Sequence, residues 1–160
     1  MKSHVNLSLL TMLLPFFLTG CGDEVRPSIA ADAPLSTMFV SDGFTISEKP
    51  ASSIYFGKDD ENYCDLTVPK ENFNTGFSIR SQSKSDLSIN VSCTWDKKSY
   101  VLSAKHPTYI SLDVTSVTTD KADVNVSLKV IDTASLSEFI EFKNVSLKIV
   151  NPDDLKKLLN

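Results

Sequence analysis

From Phe39 onward, apolar residues recur at every second position, the period of a strand with one buried and one solvated face. The clearest run sets Leu87, Ile89, Val91, Cys93 and Trp95 on one face and Ser88, Asn90, Ser92 and Thr94 on the other. A second sets Ala122, Val124, Val126, Leu128 and Val130 opposite Asp123, Asn125, Ser127 and Lys129. Weaker stretches of the same kind lie at 44–47, 54–56, 63–68, 77–80, 100–105 and 109–114. The last run carries Ile140 and Phe142, then Val145, Leu147 and Ile149, and its change of parity at Lys143 and Asn144 predicts a β-bulge. Turn-forming residues punctuate the runs at Asp42-Gly43 and in segments 57–61, 69–76, 96–99 and 118–121. Eight or nine short strands so spaced predict an all-β fold, an antiparallel sandwich whose core lies between two one-faced sheets.

Both ends of the chain depart from this period. Asn151 is placed to cap a short helix starting at Pro152, with Asp153 and Asp154 in its first turn. Leu155, Leu158 and Leu159 would share one face, opposite Lys156 and Lys157, and are expected to cover one end of the sandwich. At the other end, the first 20 residues contain no Asp or Glu, Lys2 adds a positive charge, and residues 9–18 form an apolar stretch interrupted by Thr11 and Pro15. A bilayer-spanning helix needs about 20 apolar residues, so this stretch has the layout of a secretory signal. An ordinary signal site wants small residues third and first before the cut. Gly20 fits that rule and Leu18 does not.

Leu18-Thr19-Gly20-Cys21 instead resembles the lipobox of bacterial lipoproteins. The resemblance covers residues 1–21. It implies cleavage between Gly20 and Cys21, a diacylglycerol on the Cys21 sulfur, and acylation of the new N-terminus, enough chains for stable anchoring. Gly22, where Asp would favour retention in the inner membrane, implies the outer membrane, with the domain facing the periplasm or the cell surface. The chain then divides into a signal at 1–20, a lipidated Cys and flexible tether at 21–36, and a β-domain at 37–160. The tether reading rests on Pro27, Pro34 and small residues without an apolar period.

Composition narrows the partners. Taking Lys2 from the 16 Lys and Arg leaves 15 against 20 Asp and Glu, a net charge of −5 on the processed chain. The charges are interspersed, with no basic stripe, which argues against nucleic acid and against direct binding to anionic lipid heads. Cys64 shares parity with Leu66 and Val68, and Cys93 with Val91 and Trp95, so both point into the core. In an oxidising exported compartment a Cys64–Cys93 disulfide is expected, the alternative being two separately buried thiols. In immunoglobulin domains the core Trp falls between the two cysteines and a Tyr precedes the second by two residues. Here Trp95 follows Cys93 and residue 91 is Val, so only the architecture is expected to be immunoglobulin-like.

Chemistry has little to work with. His106 is the one histidine after the signal, and a zinc site needs several such ligands. Asp59, Asp60 and Glu61 could meet Asp65 around a calcium ion, but they lack the alternating spacing of a calcium loop, and a solvated acidic turn is the better reading. Gly43, Gly57 and Gly76 supply neither a phosphate-cradling loop nor a nucleophile elbow. Asn-x-Ser triplets at Asn90, Asn125 and Asn144 follow from Asn and Ser alternating with apolar residues. The expectation is an anchored, non-enzymatic envelope protein without cofactor or metal, which binds another protein or supports an assembly. The alternatives are an inhibitor or immunity protein against a toxin or hydrolase, and a glycan or small-ligand binder using Tyr55, Tyr63, Tyr100 or Tyr109 on an exposed face. A hydrolase around His106 comes last.

Overall fold

The computed structural model describes residues 29–30, 35–81 and 88–160. The signal, Gly20 and Cys21, most of segment 21–36, and Leu87 lie outside the described residues. The strands are β1 (Ile29–Ala30), β2 (Ser36–Ile46), β3 (Lys49–Asp59), β4 (Asn62–Pro69), β5 (Ser78–Ser81), β6 (Asn90–Trp95), β7 (Lys98–Val101), β8 (Tyr109–Val117), β9 (Ala122–Asp132) and β10 (Phe139–Ile149). A 3-10 turn at Lys70–Asn72 follows β4, and the helix α1 (Pro152–Leu159) ends the chain.

Strand order separates two sheets. One runs β2-β3-β4-β6-β7 and the other β5-β8-β9-β10-β1, joined where Tyr100 and Val101 of β7 pair with Asp132 and Ile131 at the end of β9. All pairings are antiparallel except the short one of β1 along β10. The inner faces form one core: Ile54, Phe56, Leu66 and Val91 from the first sheet meet Leu112, Val126, Leu128 and Ile140 from the second. Trp95 on β6 packs against Phe142 on β10, ring centroids 5.1 Å apart. This is the antiparallel sandwich that the period-two pattern predicts. Among the described residues no helix is long and apolar enough to cross a membrane.

Cys64 and Cys93 are bonded to each other and buried. They are direct register partners on β4 and β6, so the bridge staples neighbouring strands of one sheet. In an immunoglobulin domain the corresponding bridge crosses between sheets. The bulge read from parity is present: Phe142 pairs with Leu128 and Val145 with Val126, leaving Lys143 and Asn144 opposite Ser127. Asn144 takes a positive φ of 55°, and its backbone N–H donates to Ser127 Oγ at 2.9 Å.

At the C-terminus Asn151 Oδ1 accepts from the backbone N–H groups of Asp153 and Asp154, at 2.9 and 3.4 Å. Leu155 and Leu158 are buried against the sandwich, whereas Leu159 is 41% exposed. An eight-residue helix turns only two leucines inward at once. Lys157 leaves the solvent face expected of it, because its Nζ donates to the Val40 carbonyl at 2.8 Å and pairs with Asp154 at 3.2 Å. It thereby satisfies an acceptor on the edge strand.

The first hairpin differs from its expected place. Asp42 and Gly43 do not turn the chain. They form a bulge inside β2, with Gly43 at φ 86°, between the pairs Ser41–Ser53 and Phe44–Ala51. The reversal comes at Ser47 and Glu48, both at positive φ, the geometry of a two-residue hairpin turn built here without Gly or Asn. A second bulge in β2 falls at Met38, between the pairs Thr37–Phe56 and Phe39–Tyr55.

Candidate functional site

The outer faces of the two sheets differ in kind. On the second sheet, Arg80 binds Asp113 through two guanidinium nitrogens, at 3.0 and 3.1 Å, and Lys121 pairs with Asp123 at 2.7 Å. Tyr109 donates to Glu141 at 2.8 Å, and burial together with that bond pushes its phenol up to about 12. This is a polar face on which several charges are paired, and Lys129 lies over the Phe139 ring, 4.7 Å from its centroid.

The outer face of the first sheet is aromatic. Register aligns one straight cross-strand row: Phe39 beside Tyr55, Tyr55 beside Asp65, Asp65 beside Ser92, and Ser92 beside Val101. The Met38 bulge creates the first of these pairs, because without the extra residue Phe39 would oppose Ile54 and face the core. The Phe39 and Tyr55 rings stack, centroids 4.4 Å apart and 13° from parallel, and Tyr63 lies 6.1 Å from Tyr55 at 41°. Phe39 remains 46% exposed. Gly57, the register partner of Tyr63, has to be glycine, since a Cβ there would stand 2.3 Å from the Asn62 carbonyl oxygen.

Two hollows open on this face. One, of about 210 Å3, is lined by Met38, Phe39, Tyr55, Asp60 and Tyr63. The other, of about 250 Å3, lies over Asp65, Thr67, Asn90, Ser92 and Val101. Between them sits Asp65, whose carboxyl is raised above the ordinary Asp range because burial outweighs the hydrogen bond from Ser92. Tyr55 is raised by its own burial, then by the neighbouring Asp65 charge, against the lowering effect of a hydrogen bond with Ser53. An apolar platform with carboxylates at its border can hold a ligand group that is both flat and polar.

The four tyrosines do not act together. Tyr55 and Tyr63 share this face, Tyr100 is 1% exposed inside the core, and Tyr109 belongs to the other sheet. Tyr100 is drawn inward because its register partner is Cys93, a core residue. The acidic turn also separates. Asp59 accepts from the Glu61 N–H and the Asn62 side chain, which holds it below the usual Asp range, while Asp60 turns to the aromatic hollow and Asp65 to Ser92. Among the described residues no three His, Cys, Asp or Glu side chains come together to hold a metal ion.

His106 Nδ1 lies 2.8 Å from Ser103 Oγ, which also accepts from the Lys105 N–H. In a hydrolytic triad Nε2 faces the serine and an acid holds Nδ1. Here the serine occupies Nδ1 from three residues away, closing a local turn. Phe39, Asp60, Asp65 and Ser92 were not singled out by sequence as a binding set. No protein-family model, curated protein or solved structure matches the chain.

Proposed function

We propose that this chain is a lipid-anchored protein of the bacterial outer membrane, tethered through Cys21, whose β-domain binds a partner protein and performs no catalysis. The observation that carries the reading is the aromatic row on the outer face of β2, β3 and β4, with Phe39 exposed and stacked on Tyr55. Exposed aromatic rings in a polar rim are the residues that dominate protein interfaces. Strand addition is the less suitable mode, because two bulges in β2 break the edge that an added strand would follow.

The chain path supports a face close to the proposed anchor. Ser36, which opens β2, and Tyr63 flank Gly57 from its two sides, so the strand nearest the tether begins at the end that carries the aromatic hollow. Ile29 of β1 pairs with Ile140, the second residue of β10. Cys21 precedes Ile29 by eight residues, a contour of at most about 29 Å. The partner is then a component at or near the membrane surface.

Labelled palmitate is expected to enter the wild-type chain and not Cys21→Ser. In cells lacking the gene, His106→Ala should restore whatever the deletion removes, whereas Phe39→Asp should not, although that variant folds and is anchored. Full complementation by Phe39→Asp together with loss by a folded His106→Ala would replace the binding reading with a hydrolytic one.

A further inference from the structure

We propose that the hollow formed by Met38, Phe39, Tyr55, Asp60 and Tyr63 receives a cationic side chain of the partner protein, an arginine guanidinium. The proposal rests on the reading of this face as a protein-binding surface and names the group it recognises. Three aromatic rings and a thioether form an apolar hollow of about 210 Å3 with one carboxylate in its wall. Aromatic faces carry negative quadrupole density and attract a cation set against them. A flat guanidinium also extends the nearly parallel Phe39–Tyr55 stack, which a tetrahedral ammonium cannot do.

Asp60 supplies the matching charge. It makes no hydrogen bond or ion pair with any described residue, whereas Asp59 beside it is used by its own turn. A free carboxylate accepts two parallel N–H bonds from one guanidinium. Residues 58–65 carry four carboxylates against Lys58 alone, so the field over the hollow favours a cation. A neutral sugar would use the rings and leave that field unanswered.

The test uses the full lipidated chain in detergent micelles and a labelled peptide of alternating Arg and Ala, followed by fluorescence anisotropy at low salt. Its control peptide carries citrulline, the neutral isostere, in place of arginine. The arginine peptide is expected to bind about tenfold more tightly than the citrulline peptide, and Phe39→Ala and Asp60→Asn each to weaken it about five- to tenfold. Glu61→Gln removes the same charge one residue away, outside the hollow, and should change affinity less than twofold. Circular dichroism checks that each variant is folded. Equal binding of the two peptides, no binding of the arginine peptide, or equal effects of Asp60→Asn and Glu61→Gln would each overturn the proposal. So would efficient displacement by phosphoethanolamine, which would make the ligand a lipid headgroup. If Phe39→Asp abolishes complementation while the citrulline peptide binds as well as the arginine one, the face remains a docking surface and only the guanidinium assignment falls.

Discussion

Opening the Cys64–Cys93 bridge should weaken the domain by an amount that loop length sets. The two residues are separated by 29 positions, and closing such a loop lowers the entropy of the unfolded chain by about 12 cal/mol/K, or about 3.6 kcal/mol at 25 °C. The native state should return little of this, because the cysteines are already register partners on hydrogen-bonded strands. They are also 0% and 2% exposed, so replacing both by Ala removes sulfur atoms from the packed core and costs about 1–2 kcal/mol more. Reduced wild type is therefore expected to lose about 3–4 kcal/mol and Cys64→Ala/Cys93→Ala about 4–6 kcal/mol. At about 3–5 °C per kcal/mol for a domain of this size, reduction lowers Tm by roughly 10–18 °C.

Urea unfolding followed by the fluorescence of Trp95, the one tryptophan, measures all three forms. The slope m should also rise on reduction, since the unlinked unfolded chain exposes more surface. Because both sulfurs are buried, reduction should require opening of the domain and run far more slowly than that of an exposed disulfide at the same reductant concentration. An unchanged midpoint and slope after complete reduction would refute the loop-closure account. Two free thiols in denatured, never-reduced protein would refute the bridge itself.

Two further substitutions probe the backbone of a bulge and the burial of a carboxyl. Asn144 holds the β10 bulge at a φ of 55°, so Asn144→Gly should stay within about 0.5 kcal/mol of wild type in urea, whereas Asn144→Val should lose about 1–2 kcal/mol; equal stabilities would remove the conformational argument. Asp65 has a folded pKa raised above its ordinary value of 3.8, so its contribution is complete below that pH and declines as pH rises through the folded value. Asp65→Asn, which keeps an acceptor for Ser92, should therefore gain stability over wild type progressively as pH rises from 3 to 7, and a difference that stays constant or shrinks would contradict burial as the cause.

Much of the fold was legible because most strands have one wet face. In β9, Val124, Val126 and Leu128 alternate with Asp123, Asn125 and Ser127, and the structure buries the first set and pairs the strand on both sides. The bulge at Asn144 was equally plain, since an inserted residue inverts parity and inversion can be counted. β2 was legible only in part, at 44–47, for the opposite reason. It is an edge strand with few buried residues, and its two bulges break the period twice within eleven positions. Its hairpin turn uses Ser47 and Glu48, which carry no turn signature, while Asp42-Gly43, which does, kinks the strand instead.

The candidate site was half legible for the same reason. Tyr55 stands between core residues Ile54 and Phe56, and Tyr63 precedes core residue Cys64, so parity alone turns both tyrosines outward. That Phe39 joins them depends on one extra residue at Met38, and that Asp65 and Ser92 continue the row depends on registers among four strands. Cross-strand register has no counterpart in the period of any single segment. The proposal that the row is a contact surface rests on its contrast with the opposite face. A surface that had only to stay soluble would resemble the Arg80–Asp113 and Tyr109–Glu141 ladder of the second sheet, where charges are matched and the large ring is hydrogen-bonded. The first sheet exposes Phe39 and holds the Asp65 carboxyl in a partly buried position that disfavours its ionised form. The burial of Asp65 costs folding stability at neutral pH and Phe39 leaves apolar surface in water; neither completes the core, and the proposed contact surface accounts for both.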